Sequence, residues 1–189
     1  MPAPRIQVRR KAGSPPPPKA GPRQPDPRIA VYAGSFDPIT NGHLSIVLEG
    51  SRLFKELIVA IGTNSEKKYT FSADERVAMV RACCSKIKNV EVDRFTDRFL
   101  VDYARQRGAA YIVRGIRNPE DYEYERAMRN INSDLAPDIV TIFIMPPRDL
   151  AEISSSFVKG LVGPQGWQRT VKKFLPAEIY KDFVTHMQQ

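Results

Sequence analysis

No apolar run in this 189-residue chain approaches the roughly 20 residues that a membrane-spanning helix needs, and no early apolar segment has the form of a secretory leader. The sequence therefore predicts a soluble, cytoplasmic protein with no membrane partner. Cysteine is equally scarce: Cys83 and Cys84 stand side by side in a stretch that reads as helix. Adjacent cysteines are badly placed for a disulfide, and no His or Cys lies at metal-ligand spacing from them. They are expected to be reduced thiols, which suits a reducing compartment. No internal repeat is visible, and no carboxylate pair announces a dedicated metal site. The first strand is not followed by a G-x-G-x-x-G turn, which argues against a dinucleotide-dependent oxidoreductase.

Positive charge is present but unevenly spread. Residues 1 to 28 hold seven basic side chains against one acid, a net six of the eight formal positive charges, together with nine of the sixteen prolines. Almost nothing in that stretch can pack, so it is expected to be a disordered, Pro-rich basic tail with polyproline II character. The rest of the chain is close to neutral, which makes a nucleic-acid partner a poor explanation of the total; weak contact with an anionic partner is left to the tail alone.

From Ile29 onward short apolar runs alternate with amphipathic stretches, and 42% hydrophobic residues suffice for one buried core over residues 29 to 189. Strands are expected at 29–33, 57–61, 90–92, 111–113 and 139–145. The first intervening helix is expected to bury Leu44, Val47, Leu48 and Phe54. Ser72 with Glu75 has the form of a capping box opening a helix to about Ser85. A further helix is expected over 97–107, and Asn118 followed by Pro119 starts another that ends near Asn132. The C-terminal third reads as helical, with Pro176 opening its last segment. Helical crossovers between strands imply an α/β fold: a doubly wound five-stranded parallel sheet with C-terminal helices. Ligands of such sheets bind at the carboxyl ends of the strands, so the loops after those ends carry the chemistry.

The first loop runs Gly34-Ser35-Phe36-Asp37-Pro38-Ile39-Thr40-Asn41-Gly42-His43. Glycine permits close backbone approach, Ser35 offers a hydroxyl and an amide, and His43 falls on the first turn of a helix whose free amides favour an anion. The second loop supplies Lys67 and Lys68, which taken alone are ordinary solvated lysines. The third is Val113-Arg114-Gly115-Ile116-Arg117, whose arginines can grip phosphate in pairs, or else form ion pairs with Glu120, Asp121 and Glu123. The fourth, Ile153-Ser154-Ser155-Ser156-Phe157-Val158-Lys159, places three hydroxyls at a helix start, of which simple capping explains one.

Taken together, these four loops resemble the nucleotidylyltransferase superfamily. Thr40-Asn41-Gly42-His43 is similar to its (Thr/His)-x-Gly-His element, and 153–159 is similar to its Ile-Ser-Ser-(Ser/Thr)-x-x-(Lys/Arg) signature. Within that superfamily Lys67, Phe71-Ser72, Glu75-Arg76-Val77, Arg114 to Arg117 and Tyr122 to Glu125 resemble the bacterial phosphopantetheine adenylyltransferases over about residues 29 to 185. The resemblance implies transfer of AMP from ATP to 4′-phosphopantetheine, with Mg²⁺ accompanying the triphosphate and a homohexameric assembly. It implies that His43 stabilises the transition state, and that Ser35, Phe36, His43, Gly115, Ile116, Arg117, Glu125 and the run Leu150, Ala151, Glu152, Ile153, Ser154, Ser155 and Ser156 bind ATP. Ser35, Lys67, Leu100 and Arg114 would bind the acceptor. The sequence departs from the family pattern at 118–120 and 129–132, and holds one extra residue around Thr96 to Arg98. A sibling enzyme acting on nicotinate mononucleotide, or using CTP, would share both signatures.

Overall fold

The structure, a computed structural model, describes residues 24 to 188. Five strands form one wholly parallel sheet: β1 (Asp26–Gly34), β2 (Glu56–Thr63), β3 (Val90–Thr96), β4 (Ala109–Gly115) and β5 (Val140–Ile144), in the order β3-β2-β1-β4-β5. The intervening helices are α1 (Asn41–Leu53), α2 (Ala73–Cys84), α3 (Leu100–Arg107) and α4 (Pro119–Leu135). A single 3-10 turn (Arg148–Leu150) and three further helices, α5 (Ser155–Gly160), α6 (Trp167–Val171) and α7 (Ala177–Met187), complete the described chain.

Strand parity sorts the core into two layers. Ala30, Tyr32, Leu57, Val59 and Ile61 face Ile46 and Val47 of α1, Val77 and Val80 of α2, and the C-terminal residues Trp167 and Phe183. Their neighbours Val31, Ala33, Ile58 and Ala60 face Val101 and Ala104 of α3 together with Ala136 and Ile139. Both faces of β1 and β2 are therefore buried, which is why their sequences read as continuous apolar runs. The chain winds outward from β1 to β3, then returns to β4 on the other side of β1. Loops leaving β1 and β4 thus part company, and the crevice they open is the place where such sheets bind ligands.

Several boundaries differ from the sequence reading. β1 begins at Asp26, before Ile29: the Asp26 amide donates to the Gly108 carbonyl at 2.8 Å, and Arg28 folds back onto the Asp26 carboxylate. Residues 26–28 of the expected tail are therefore strand, and the β1–β4 register shifts between Asp26 and Ala30, accommodating Pro27, which has no amide to donate. Gln24 and Pro25 precede the strand, and residues 1 to 23 of the expected tail lie outside the described residues. α1 buries Gly42, Ile46, Val47 and Gly50; of the expected core residues Val47 and Phe54 are buried, Phe54 from just past the helix end, Leu44 is half-buried, and Leu48 is exposed. α3 starts at Leu100 because Asp97 sits at φ +51, a left-handed turn that ends β3 instead of opening a helix. α4 continues beyond Asn132 to Leu135, and Met145 lies outside β5. The capping predictions at Ser72–Glu75 and at Asn118 both hold: Ser72 accepts from the Glu75 amide, and the Asn118 side chain accepts from the Asp121 amide. No described helix is long and apolar enough to cross a membrane.

Candidate active site

The loop after β1 is held by its own side chains. Phe36 occupies φ +48, unusual for a bulky residue, and is fully buried with its ring edge-on to Tyr32 and to His43 at centroid distances of 5.4 and 5.3 Å. Burial of that ring offsets a backbone cost of about 1–3 kcal/mol. Asp37, only 4% exposed, accepts from the amides of Thr70 (3.0 Å) and Phe71 (2.9 Å) and pairs with Lys159 of α5 at 2.7 Å. One carboxylate thus joins the first loop to the second and to the fourth. Burial alone would raise its pKa, but the Lys159 ammonium and the two amides outweigh it and hold the carboxyl below its ordinary value.

Thr40 and His43 form a reciprocal cap on α1. The His43 amide donates to Thr40 Oγ1 at 3.4 Å, and the Thr40 amide donates to His43 Nδ1 at 3.1 Å. A backbone N–H can only donate, so Nδ1 must be unprotonated and the proton of the neutral ring resides on Nε2. Burial, then the charges of Arg117 and Arg114, depress the imidazole pKa to about 4. At neutral pH His43 is therefore an uncharged ring fixed in one tautomer, with a single N–H donor to offer.

Gly42 is the point where two loops touch. A Cβ there would stand 2.8 Å from the Ile153 carbonyl oxygen and 3.4 Å from that of Leu150. No side chain can be inserted without pushing back the fourth loop. Ser155 adds a second link by donating to the Pro38 carbonyl at 2.8 Å. The turn between α6 and α7 supports the same corner, since the Asn41 amide donates to the Phe174 carbonyl at 2.9 Å.

Two cavities open at this rim. The inner one, about 210 Å³, contains His43, Gly42, Gly115, Arg117, Asp121, Glu125 and Ile153 in its walls. The outer one, about 500 Å³, is lined by Lys67, Tyr69, Thr63, Asp97, Arg98 and Leu100. They share Ala33, Gly34, Ser35 and Arg114, so the end of β1 and one guanidinium form the partition between them.

The arginines are already engaged. Arg114 Nε donates to Glu125 at 2.8 Å, its Nη2 completes that ion pair, and Nη1 donates to the Ala33 carbonyl at 2.5 Å. Arg117 pairs through Nε and Nη2 with Asp121 at 2.8 and 3.0 Å. Of the ion-pair partners considered from sequence, Asp121 is used, while Glu120 and Glu123 are not; Glu125, placed there beside the nucleotide, is the buried partner of Arg114. These pairs fix both guanidinium planes at the wall of the inner cavity and leave part of each fork's donor set without a protein acceptor among the described residues.

The sequence-derived site residues separate into four groups. Ser35, His43, Gly115, Arg117, Glu125 and Ile153 meet around the inner cavity; Lys67 and Leu100 lie in the outer one, with Ser35 and Arg114 common to both. Phe36 and Ile116 are buried side chains that line neither cavity, so only their backbone could face a ligand. Leu150, Ala151, Glu152, Ser154, Ser155 and Ser156 line neither cavity; the run reaches the inner one through Ile153 and touches the first loop through the Leu150 carbonyl and the Ser155 hydroxyl. Two of the serine hydroxyls are committed within the protein: Ser154 caps the Phe157 amide at 3.0 Å, and Ser155 holds Pro38. Sequence reasoning missed Asp37, Lys159, Tyr69 and Thr63; the partners of Asp37 and Lys159 lie far along the chain, and Tyr69 and Thr63 are joined through the buried Arg76. The available signal was an Asp immediately before Pro in the glycine loop.

The family model described as cytidylyltransferase-like matches residues 31–160. A phosphopantetheine adenylyltransferase of Chromobacterium violaceum is 56% identical over 156 residues, covering 82% of this chain and 95% of that protein. One from Neisseria meningitidis serogroup B is 53% identical over 162 residues (86% and 95%), and one from Thermosynechococcus vestitus 45% over 154 residues (82% and 89%). Among solved structures, a Plasmodium falciparum nicotinic acid mononucleotide adenylyltransferase has the same fold, with a TM-score of 0.62 at 15% identity over 85% of this chain and 95% of that one. Identity above half of the aligned residues, spanning every loop that builds the two cavities, makes the chain a member of the phosphopantetheine adenylyltransferase family within the cytidylyltransferase-like proteins.

Proposed function

We propose that the protein transfers AMP from ATP to 4′-phosphopantetheine, giving dephospho-coenzyme A and pyrophosphate, a step of coenzyme A biosynthesis. The observation that carries this reading is the pair of cavities meeting at Ser35 and Arg114. ATP occupies the inner cavity, and the elongated acceptor lies in the larger outer one, with its phosphate at the partition. The acceptor phosphate oxygen attacks the α-phosphorus, a new P–O bond forms, and the bond to the β-phosphate oxygen breaks as pyrophosphate leaves. No enzyme nucleophile is required, so the protein's work is positioning and charge stabilisation. Lys67 and Arg114 hold the attacking phosphate, supported by Ser35. His43 donates its Nε2–H to the α-phosphoryl oxygens, whose charge grows in the transition state. Arg117, the α1 amides and the run from Leu150 to Ser156 hold the departing phosphates.

Mg²⁺ belongs to this reading as the counter-ion of the triphosphate. No cluster of three or more potential metal ligands exists among the described residues, and the two carboxylates of the inner cavity, Asp121 and Glu125, are spent on arginines. No step is assigned to a protein-bound cation. Cytoplasmic residence fits the buried, unpaired Cys83 and Cys84, whose thiols burial pushes up to about 12 and about 11. Self-association, as a hexamer by family resemblance, fits the apolar side chains left exposed on α4 and the edge strand β5, among them Tyr124 at 61% and Val140 at 52%.

Pyrophosphate release with ATP or CTP, across 4′-phosphopantetheine and nicotinate mononucleotide as acceptors, tests the assignment. Turnover is expected for ATP with 4′-phosphopantetheine. Faster turnover with nicotinate mononucleotide, or with CTP, would replace it by the sibling activity.

A further inference from the structure

Arg76 lies on α2 next to the buried Val77, facing the sheet. It is 1% exposed and heads the largest fully buried side chains among the described residues. A buried guanidinium ordinarily sits against a carboxylate, because desolvating an unanswered charge is costly. Among the described residues no carboxylate lies within ion-pair distance of this one. Nη1 donates to the carbonyls of Ser35 (2.8 Å) and Gly62 (3.2 Å), Nη2 donates to Thr63 Oγ1 (3.1 Å), and Nε has no partner. The Tyr69 ring covers the cation with its centroid 4.0 Å from Cζ. Burial pulls the pKa of the group down, yet a guanidinium keeps its proton. Asp37, the acid that acts on it through space, is committed to Lys159 and two amides.

Its contacts have a common address. Ser35, Gly62, Thr63 and Tyr69 all line the outer cavity, and Ser35 also belongs to the partition. One cation therefore gathers the carboxyl ends of β1 and β2 and one aromatic wall into a single surface. It leaves a positive charge beneath that surface with no protein anion to answer it. We infer that Arg76 is a positioning residue for the acceptor: it sets the floor of the outer cavity, and its charge is balanced when the acceptor's phosphate arrives. This rests on the reading of the outer cavity as the acceptor site. The charge favours the phosphorylated ligand over its unphosphorylated counterpart, whereas the fork geometry serves both.

Calorimetric binding of 4′-phosphopantetheine and of pantetheine to the full chain separates these effects, with wild-type adenylyl transfer measured alongside. Arg76→Met should reduce the preference for the phosphorylated ligand about tenfold, and Arg76→Lys, which keeps a charge, about threefold or less. A preference unchanged in folded Arg76→Met overturns the inference. Should that variant fail to fold, Thr63→Val and Thr63→Ser decide. Val removes the Nη2 acceptor and should raise the KM for the acceptor about threefold with the KM for ATP unmoved; Ser restores the hydroxyl and should restore the KM. Equal acceptor KM values in both overturn the inference. Failure of the wild-type chain to adenylate 4′-phosphopantetheine sinks the functional reading instead, a result distinct from either.

Discussion

Replacing His43 with Ala removes the neutral imidazole donor of the inner cavity. The Thr40 amide fixes Nδ1 as an acceptor, so Nε2–H is the only hydrogen the ring can offer, and it is aimed before substrate arrives. Loss of one preorganised donor to a developing oxyanion costs about 3 kcal/mol, which at about 1.4 kcal/mol per decade lowers kcat by roughly a hundredfold or more. The same substitution strips the Thr40 amide of its partner and should cost about 1 kcal/mol of stability. Two further variants divide these effects. Asn can present an oxygen near the Nδ1 position and should recover the stability without the turnover; Gln can reach toward the Nε2 position and should recover part of the turnover. Saturating pyrophosphate-release kinetics read the first effect and thermal denaturation the second. A kcat for His43→Ala within tenfold of wild type would refute the assigned role. The pH dependence follows from the burial of the same ring and from the charges of Arg117 and Arg114 beside it. The folded pKa of about 4 lies below the ordinary value of about 6.5 for an unfolded chain. Unfolded molecules therefore bind the proton first, and His43 erodes stability as pH falls from about 6.5 to about 4. His43→Ala should lose less stability over that window.

Gly42→Ala would thrust a methyl group to 2.8 Å from the Ile153 carbonyl oxygen, and the fourth loop must retreat. A cost of about 1–3 kcal/mol and a KM for ATP raised more than that for the acceptor are expected, while equal effects on both substrates would show that the two loops do not jointly shape the inner cavity. Asp37→Asn keeps the shape but abandons Lys159 and weakens the hold on the Thr70 and Phe71 amides, at roughly 2–3 kcal/mol, seen as a fall in Tm of about 5–10 °C. Because the folded Asp37 carboxyl is held below its ordinary value, its contribution is present above the unfolded pKa and disappears as pH falls through the folded one. The Asn variant should lack that acid-side loss, and an acid limb identical to wild type would show that Asp37 is not the linchpin of the loops.

Much of the protein was legible because it is local. Apolar runs announced parallel strands buried on both faces, and the caps at Ser72 and Asn118 are contacts between residues three apart. Glycine, serine, histidine and arginine at successive strand ends marked the loops whose residues line the two cavities. The reading failed where the backbone left its regular period: Asp97 turns left-handed, which delays α3, and β1 starts inside a proline-rich stretch because Gly108 receives its first amide.

What the fold alone decided concerns partners far apart in the chain. The order β3-β2-β1-β4-β5 puts β1 beside β4 and so opens the crevice; apolar periodicity carries no information about which strands become neighbours. The bond between Asp37 and Lys159 spans 122 residues, and the burial of Arg76 against the ends of two strands appears only once α2 has packed on the sheet. Likewise the serines of 154–156 look alike in sequence, yet one caps a helix, one braces Pro38 and one faces solvent. A residue's type limits which bonds it can make, and local pattern fixes the bonds within one helical turn. Bonds across the chain depend on packing, since their geometry exists only after the layers close.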